Sequence, residues 1–385
     1  MLNFTFHNPT RIHFGEGQIA AIAKEIPSDA TVLIIYGGGS IKKNGVYDQV
    51  VAALEGRKVF EFSGIEPNPS YDTLVNSLAV IRENKVDYLL AVGGGSVVDG
   101  TKFIAAAALF EGDDPWDIVA KQQRITQALP IGAVLTLPAT GSESNTGAVV
   151  TRHGNKLPFA SPLVRPKFAV LDPAVTLTLS DRQVGNGVVD AFVHTMEQYL
   201  TYSVNGKVQD RFSEGLLQTL IEDGPKALAP ETKEDLAVRA NVMWSATMAL
   251  NGLIGAGVPQ DWTTHMIGHE LTGAHGIDHA RTLSIVLPAV MKVRREEKRE
   301  KLLQYAARVW NIHDGDEDAR IDQAIAATEA FFTKMGVPTR LSHVDLGESD
   351  IEPMIVKLAE HGMVKLSEHR NITPDVSREI LRVAL

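Results

Sequence analysis

Asp190 and His194 lie four residues apart in the chain, so on a helix they share one face. His265 and His269 repeat that spacing further on, and His279 follows His265 by fourteen residues. One straight helix would hold His265 and His279 about 21 Å apart. Gly273 and Gly276 allow the chain to turn first, so that His279 folds back toward His265. Three neutral imidazoles and one carboxylate form a cage for a divalent cation. A lone histidine on a half-apolar helix is ordinarily a packed or surface residue, and Asp190 with His194 alone would pass for a helix ion pair. Neither explanation covers four candidate ligands, with His269 in register, in otherwise apolar segments.

A second group of residues suits a phosphate. Gly93-Gly94-Gly95-Ser96 follows an apolar run and opens a helical pattern that continues through Asp99 and Lys102. Glycines there let backbone N–H groups approach a pyrophosphate at the positive end of a helix. The run is not the G-x-G-x-x-G fingerprint, and a tight strand-to-helix turn would look the same. A second copy, Gly37-Gly38-Gly39-Ser40, also follows an apolar run, and ligands of open α/β sheets sit beyond strand ends. A third stretch from Thr136 through Thr140 to Ser144 is rich in small hydroxyl side chains. It suits a ribose or phosphate, or an ordinary loop.

The elements that must position these residues divide the chain in two. In the first half, strand patterns at 31–36, 57–63, 87–92, 134–136, 149–151 and 168–171 alternate with helical periodicity at 70–83 and 97–109. Such alternation implies βαβ units and a parallel sheet. Beyond Leu179 the patterns are helical, at 184–199, 208–220, 234–250, 261–271, 299–310, 321–335 and 351–361, with Ser180 or Asp181 as a cap. The expected organisation is an α/β dinucleotide-binding domain over residues 1–179 and an all-α metal-binding domain over 180–385. The mixed-charge run from Lys292 to Lys301 reads as a solvated helix face.

Composition narrows the function. The chain has 385 residues, 44% apolar and 22% charged, with a net charge of −10 and no cysteine. An acidic chain without a long basic run lacks the electrostatic footprint for nucleic acid or anionic lipid. Without cysteine there is no disulfide, thiolate nucleophile or cysteine-ligated cluster. No signal peptide is visible and no apolar run is long enough to span a membrane, so a cytoplasmic protein is expected.

In order and spacing, Gly-Gly-Gly-Ser-x-x-Asp-x-x-Lys, the Thr/Gly/Ser loop, Leu171-Asp172-Pro173, Asp190-x-x-x-His194, His265-x-x-x-His269 and His279 resemble the iron-containing (group III) alcohol dehydrogenase family over essentially the whole chain. The segment Gly255-Ala256-Gly257-Val258-Pro259-Gln260-Asp261-Trp262 resembles its NADPH-dependent aldehyde reductases and butanol dehydrogenases. The Thr/Gly/Ser loop is shorter than the common Pro-Thr-Thr-x-Gly-Thr form, a version that branch shares.

The resemblance implies a dehydroquinate synthase-like architecture, with the active site in the cleft between an N-terminal dinucleotide-binding domain and a C-terminal helical domain. It implies Asp190, His194, His265 and His279 as metal ligands, and His269 as a non-ligand histidine near the substrate. Gly94, Gly95, Ser96 and Asp99 match its cofactor loop, and Asn68 and Lys156 look like further cofactor contacts. The expected activity is interconversion of small aldehydes and alcohols with NADP(H), by a homodimer. Fe²⁺ or Zn²⁺ suits the ligands, with Mn²⁺ and Ni²⁺ as further options.

A preference for NADPH also follows from the residues. Sites selecting NAD place an Asp or Glu near the ribose hydroxyls. Here no carboxylate follows Gly37-Gly38-Gly39-Ser40 until Asp48, while Lys42 or Lys43 adds positive charge. A lyase of the dehydroquinate-synthase type is the main rival, and a non-catalytic nucleotide- or metal-binding module is a third reading. The lyase would need basic residues around an anion, whereas Trp262, Met266, Ile267 and Leu271 near the ligands suit an apolar aldehyde.

Overall fold

The computed structural model describes all 385 residues. Contacts divide them into two compact units. One comprises His7–Leu179 and Glu234–Met243, the other Met1–Phe6, Ser180–Lys233 and Trp244–Leu385.

The first unit is built on a parallel sheet, as the alternating patterns imply. Its strands are β1 (Arg11–Phe14), β2 (Thr31–Tyr36), β3 (Lys58–Phe62), β4 (Tyr88–Gly94), β5 (Ile131–Leu137) and β8 (Phe168–Leu171), in the order β1-β8-β5-β4-β2-β3. β6 (Gly147–Arg152) and β7 (Asn155–Ala160) form a separate antiparallel hairpin. Strands buried on both faces read as continuous apolar runs. Their alternate residues serve opposite layers: Leu33, Ile35, Leu89 and Ala91 pack with Phe103 and Ile104 of the helix Gly95–Ala107. Val32, Ile34, Leu90 and Val92 pack with Val46 and Val50 of the helix Val46–Ala53. The chain runs outward from β2 to β3, then returns to place β4 on the other side of β2. The glycine turns after β2 and β4 therefore flank the point where strand order reverses, where open α/β sheets bind ligands.

Two strands were not expected. β1 is four residues long and carries Arg11 and His13, while β7 contains Lys156 and Pro158, which mask its alternation.

The second unit is helical. Ser180 caps the helix Asp181–Tyr199, accepting from the Gln183 N–H in a capping box. The helices Lys207–Lys226, Thr263–His275, Arg299–Arg308, Glu317–Lys334 and Glu348–Glu360 match expected patterns. Two do not: His279–Val293 contains Pro288, and Pro374–Val383 is short and charged. No helix is long and apolar enough to cross a membrane.

The run Lys292–Lys301 is not a solvated face. It spans the end of one helix, a turn and the start of the next, and Arg294, Lys298 and Lys301 are buried. Each finds a partner. The Lys298 ammonium lies 2.9 Å from Asp261 and 3.2 Å from Glu368, and donates to the Leu200 carbonyl at 2.6 Å. Lys301 pairs with Asp210 over the ring of Tyr199, and Arg294 donates to Asn371 at 2.8 Å. Alternating charge signs identify a helix surface only when no complementary groups await it inside.

Candidate metal centre and nucleotide-binding turns

The helix Asp181–Tyr199 carries a stripe at four-residue spacing: Arg182, Asn186, Asp190 and His194. Asp190 and His194 are buried, side by side, with Nε2 of the histidine 3.8 Å from Oδ1 of the aspartate. The helix Thr263–His275 brings in His265, whose ring stacks on that of His194 at 4.6 Å. That helix ends at Gly276, whose φ of 67° is the left-handed conformation a glycine adopts without strain. His279 then opens the next helix, its Nε2 3.9 Å from Asp190 Oδ1. The turn is made at Gly276 alone, since Gly273 stays within its helix.

Asp190, His265 and His279 each offer a ligand atom, and these lie within 4.8 Å of one another. His194 stands beside this trio against Asp190 and His265. A tetrahedral ion with bonds near 2.1 Å separates its ligand atoms by about 3.4 Å, so a small inward movement closes the set. Oδ1 of Asp190 is buried and accepts no hydrogen bond. A carboxylate oxygen removed from water needs a hydrogen bond or a cation. The imidazole and carboxylate donors suit a divalent ion of the Fe²⁺ or Zn²⁺ kind.

Three supporting residues escaped the sequence reading. Glu197 is buried one turn beyond His194, and its carboxylate is hydrogen-bonded to Nδ1 of His265 while also accepting the His265 N–H at 3.2 Å. Such a bond fixes the imidazole tautomer and leaves Nε2 as the candidate ligand atom. Its seven-residue offset from Asp190 was the available signal. Burial, followed by the like charge of Asp261, pushes the Glu197 carboxyl well above the usual carboxylate range. Asp278, just before His279, is gripped by Arg182 at 2.7 Å and Asn186 at 2.9 Å, which pins the second ligand arm to the stripe bearing Asp190. Asp261 accepts the Thr263 N–H and hydroxyl at 2.9 and 2.6 Å, anchoring the start of the His265 helix.

His269 is buried one turn after His265, with its ring 5.0 Å from that of His279 and 6.1 Å from that of His265. His269→Ala is expected to leave metal content near one ion per chain while activity falls by about a hundredfold, the scale of a lost general acid. Metal analysis alongside steady-state kinetics checks this, and a variant that loses its metal would make His269 a ligand. Of the apolar residues expected nearby, Trp262 does face the cluster, 5.3 Å from the His265 ring. Ile267 and Leu271 instead belong to the core, and Met266 packs against that core.

In the sheet unit, the turn after β4 meets the Thr/Gly/Ser loop. A Cβ on Gly95 would lie 2.4 Å from the Thr140 methyl carbon, so this approach requires glycine. The Asn68 N–H donates to Ser96 Oγ at 3.4 Å, and the Lys156 ammonium donates to Asn68 Oδ1 at 3.0 Å. Gly94, Gly95, Ser96, Asn68, Thr140 and Lys156 therefore gather at the end of β4, while Thr136 lies within β5. Gly37, Gly38, Gly39 and Ser40 form the neighbouring turn after β2. A Cβ on Gly37 would meet the Ile65 carbonyl at 3.1 Å and Val97 of the other turn's helix at 3.8 Å.

Asp99 faces the loop as a clamp. Its carboxylate accepts from the Ser142 hydroxyl at 2.5 Å and the Val149 N–H at 2.9 Å. Lys102, one turn further, donates to Asn145 Oδ1 at 2.9 Å and the Gly147 carbonyl at 2.7 Å. Burial lowers the Lys102 pKa to about 8, against the opposing pull of Asp99 and Glu143. The carboxylate unseen near the first turn is Glu61, delivered from β3, where it pairs in register with Ile34 of β2.

Comparison with known proteins identifies the family. The family model for iron-containing alcohol dehydrogenase matches residues 9–173, and the C-terminal model of the Fe-containing alcohol dehydrogenase family matches residues 185–385. The chain is 62% identical to the NADPH-dependent aldehyde reductase YqhD of Escherichia coli, covering all of both chains. It is 39% identical to a probable NADH-dependent butanol dehydrogenase of Bacillus subtilis, again over the full length of both. A crystal structure of the E. coli protein superposes with a TM-score of 0.98 at 62% identity, covering 100% of this chain and 99% of that one. The NADH-dependent butanol dehydrogenase A of Thermotoga maritima gives 0.94 at 37% identity, with coverage of 100% and 99%. This chain belongs to the iron-containing alcohol dehydrogenase family.

Proposed function

We propose that this protein is a divalent-metal-dependent aldehyde reductase that uses NADPH to reduce small aldehydes to alcohols and also runs the reverse reaction. The observation that carries the reading is the convergence of Asp190, His265 and His279, with His194 alongside, on one buried point. The full-length similarity to a relative named as an NADPH-dependent aldehyde reductase supports it.

Held at that point, a divalent cation would supply Lewis-acid chemistry toward a carbonyl oxygen, and a nicotinamide cofactor would supply the hydride. The chain's own residues do the rest. Asp190, His194, His265 and His279 hold the cation; Glu197 and Asp278 orient two of these arms. His269 passes a proton to or from the oxygen of the alcohol. Gly94, Gly95, Ser96, Asn68 and Lys156 seat the pyrophosphate, with Thr136, Thr140 and Asp99 shaping the adjoining loop. Gly37, Gly38, Gly39 and Ser40 receive the adenosine ribose. A lyase of the dehydroquinate-synthase type is disfavoured by the full-length, 62% identity to a relative named as an aldehyde reductase.

The contact units part between Leu179 and Ser180, but Met1–Phe6 groups with the helical unit and Glu234–Met243 with the sheet unit. The division at 179/180 belongs to the same reading. So do a homodimeric state and a cytoplasmic location, which sedimentation and cell fractionation would test. The deciding experiment pairs metal analysis of the purified protein with NADPH and NADH oxidation over a panel of aldehydes. One divalent ion per chain and a higher kcat/KM with NADPH are expected. Equal values, or a higher value with NADH, would sink the cofactor preference; no turnover by metal-loaded protein would leave only a binding module.

A further inference from the structure

Glu61 lies 24 residues beyond Gly37, on the strand adjacent to the one that ends in the first glycine turn. The backbone ties the two places together: the Gly64 N–H donates to the Gly37 carbonyl at 3.0 Å and the Ile65 N–H to the Tyr36 carbonyl at 3.3 Å. NAD-selecting sites place a carboxylate beside the adenosine ribose, where it accepts from the ribose hydroxyls, and Glu61 stands beside the turn assigned to that ribose. By position this chain carries such a carboxylate, and it is already engaged by neighbouring side chains.

The reason lies in what holds it. Oε2 of Glu61 accepts from the Lys42 ammonium at 2.8 Å and the Tyr36 hydroxyl at 2.7 Å, and Oε1 accepts from the Tyr47 hydroxyl. The ammonium also sits 4.5 Å from the Tyr47 ring centroid and 5.2 Å from that of Tyr36, within cation–π range. Lys42 ends the short 3-10 turn Ser40–Lys42 that follows Gly39, so its side chain reaches from the glycine turn to β3. We propose that Lys42 sets the preference for NADPH indirectly, by neutralising and occupying Glu61 so that this carboxylate neither binds the ribose hydroxyls nor repels a 2′-phosphate. The cluster then sums to zero charge, with the exposed Lys43 left as the cation of the turn. Burial would raise the Glu61 carboxyl, but the bonds from Lys42, Tyr47 and Tyr36 outweigh it and hold the group below its ordinary value.

This rests on the reading that the Gly37–Ser40 turn receives the adenosine ribose. Equilibrium dissociation constants for NADPH and NADH, from nicotinamide fluorescence, would be measured for the native protein, Lys42→Met, Glu61→Gln, the double variant and Gly38→Asp. Lys42→Met should lower the ratio Kd(NADH)/Kd(NADPH) about tenfold, Glu61→Gln should leave it unchanged or raised, and the double variant should return near the native ratio. A double variant as low as Lys42→Met alone would mean Lys42 binds the phosphate itself and would overturn the proposal. So would an unchanged ratio in Lys42→Met while Gly38→Asp shifts toward NADH. If Gly38→Asp also changes nothing, the ribose does not sit at this turn, and both readings fall together.

Discussion

His265→Ala should strip the divalent ion from the protein and lower kcat/KM for aldehyde reduction about a thousandfold. A Lewis acid contributes several kcal/mol of transition-state stabilisation, and about 4 kcal/mol corresponds to that factor. Among the four proposed ligands, His265 is the one whose loss should cost most, because it is the best supported. Glu197 holds its Nδ1 side and its backbone N–H, and the rings of His194 and His279, among others, pack on its own. Glu197→Gln, by contrast, should keep the ion but weaken its affinity by about 10- to 100-fold, the usual effect of losing an outer-shell carboxylate. Metal content by mass spectrometry and affinity by chelator competition separate the two. A fully metallated His265→Ala protein would show that the ion is held elsewhere.

Lys298→Met should destabilise the helical unit by about 3–5 kcal/mol, because it leaves buried charges without their partner. Asp261 and Glu368 both face this ammonium, and all three side chains are about 95% buried. Asp261 cannot simply move away, since it anchors the first turn of the helix that carries His265 and His269. Denaturant unfolding of metal-free protein would measure the loss. Removing all three charges, as Lys298→Met with Asp261→Asn and Glu368→Gln, should recover much of it. Equal stability of the single variant and the native protein would mean that water reaches the triad. Burial works against the Lys298 charge, but the two carboxylates more than compensate and raise its pKa above the ordinary lysine value. Its contribution is therefore complete below the ordinary lysine pKa and disappears as pH climbs through the raised one, so the native and Lys298→Met proteins should converge in stability at strongly alkaline pH.

What could be read in the sequence was whatever repeats at short range. The strand runs are apolar on both faces, the helix patterns run for several turns, and Asp190/His194 and His265/His269 declare themselves through four-residue spacing. His279 was recoverable because a glycine turn separates it from His265. The supporting residues were not legible because their partners are remote in sequence. Glu197 needs His265, Asp278 needs Arg182, Lys298 needs Glu368 as well as Asp261, and Glu61 needs Lys42. A charged residue read locally is assigned to solvent, which is why the Lys292–Lys301 run was misread. The short strand β1 and the proline-bearing helix His279–Val293 were missed because a few polar residues or one proline outweigh the pattern within so short a window.

The hairpin β6–β7 forms no ladder with the six-stranded sheet. It is held instead by Asp99 and Lys102, by the contact of Lys156 with Asn68, and by the bridge between Ser70 and Thr151. Beyond its own two-stranded ladder, its position is thus set by the helix Gly95–Ala107 rather than by a strand of the main sheet. The Val149 amide, bonded to a carboxylate, can exchange with solvent only when that carboxylate lets go. The front of the helix, the Thr/Gly/Ser loop and the hairpin are therefore expected to open as one cooperative element, so a nucleotide on the glycine turn should slow amide exchange at Val149, in a hairpin that it need not touch.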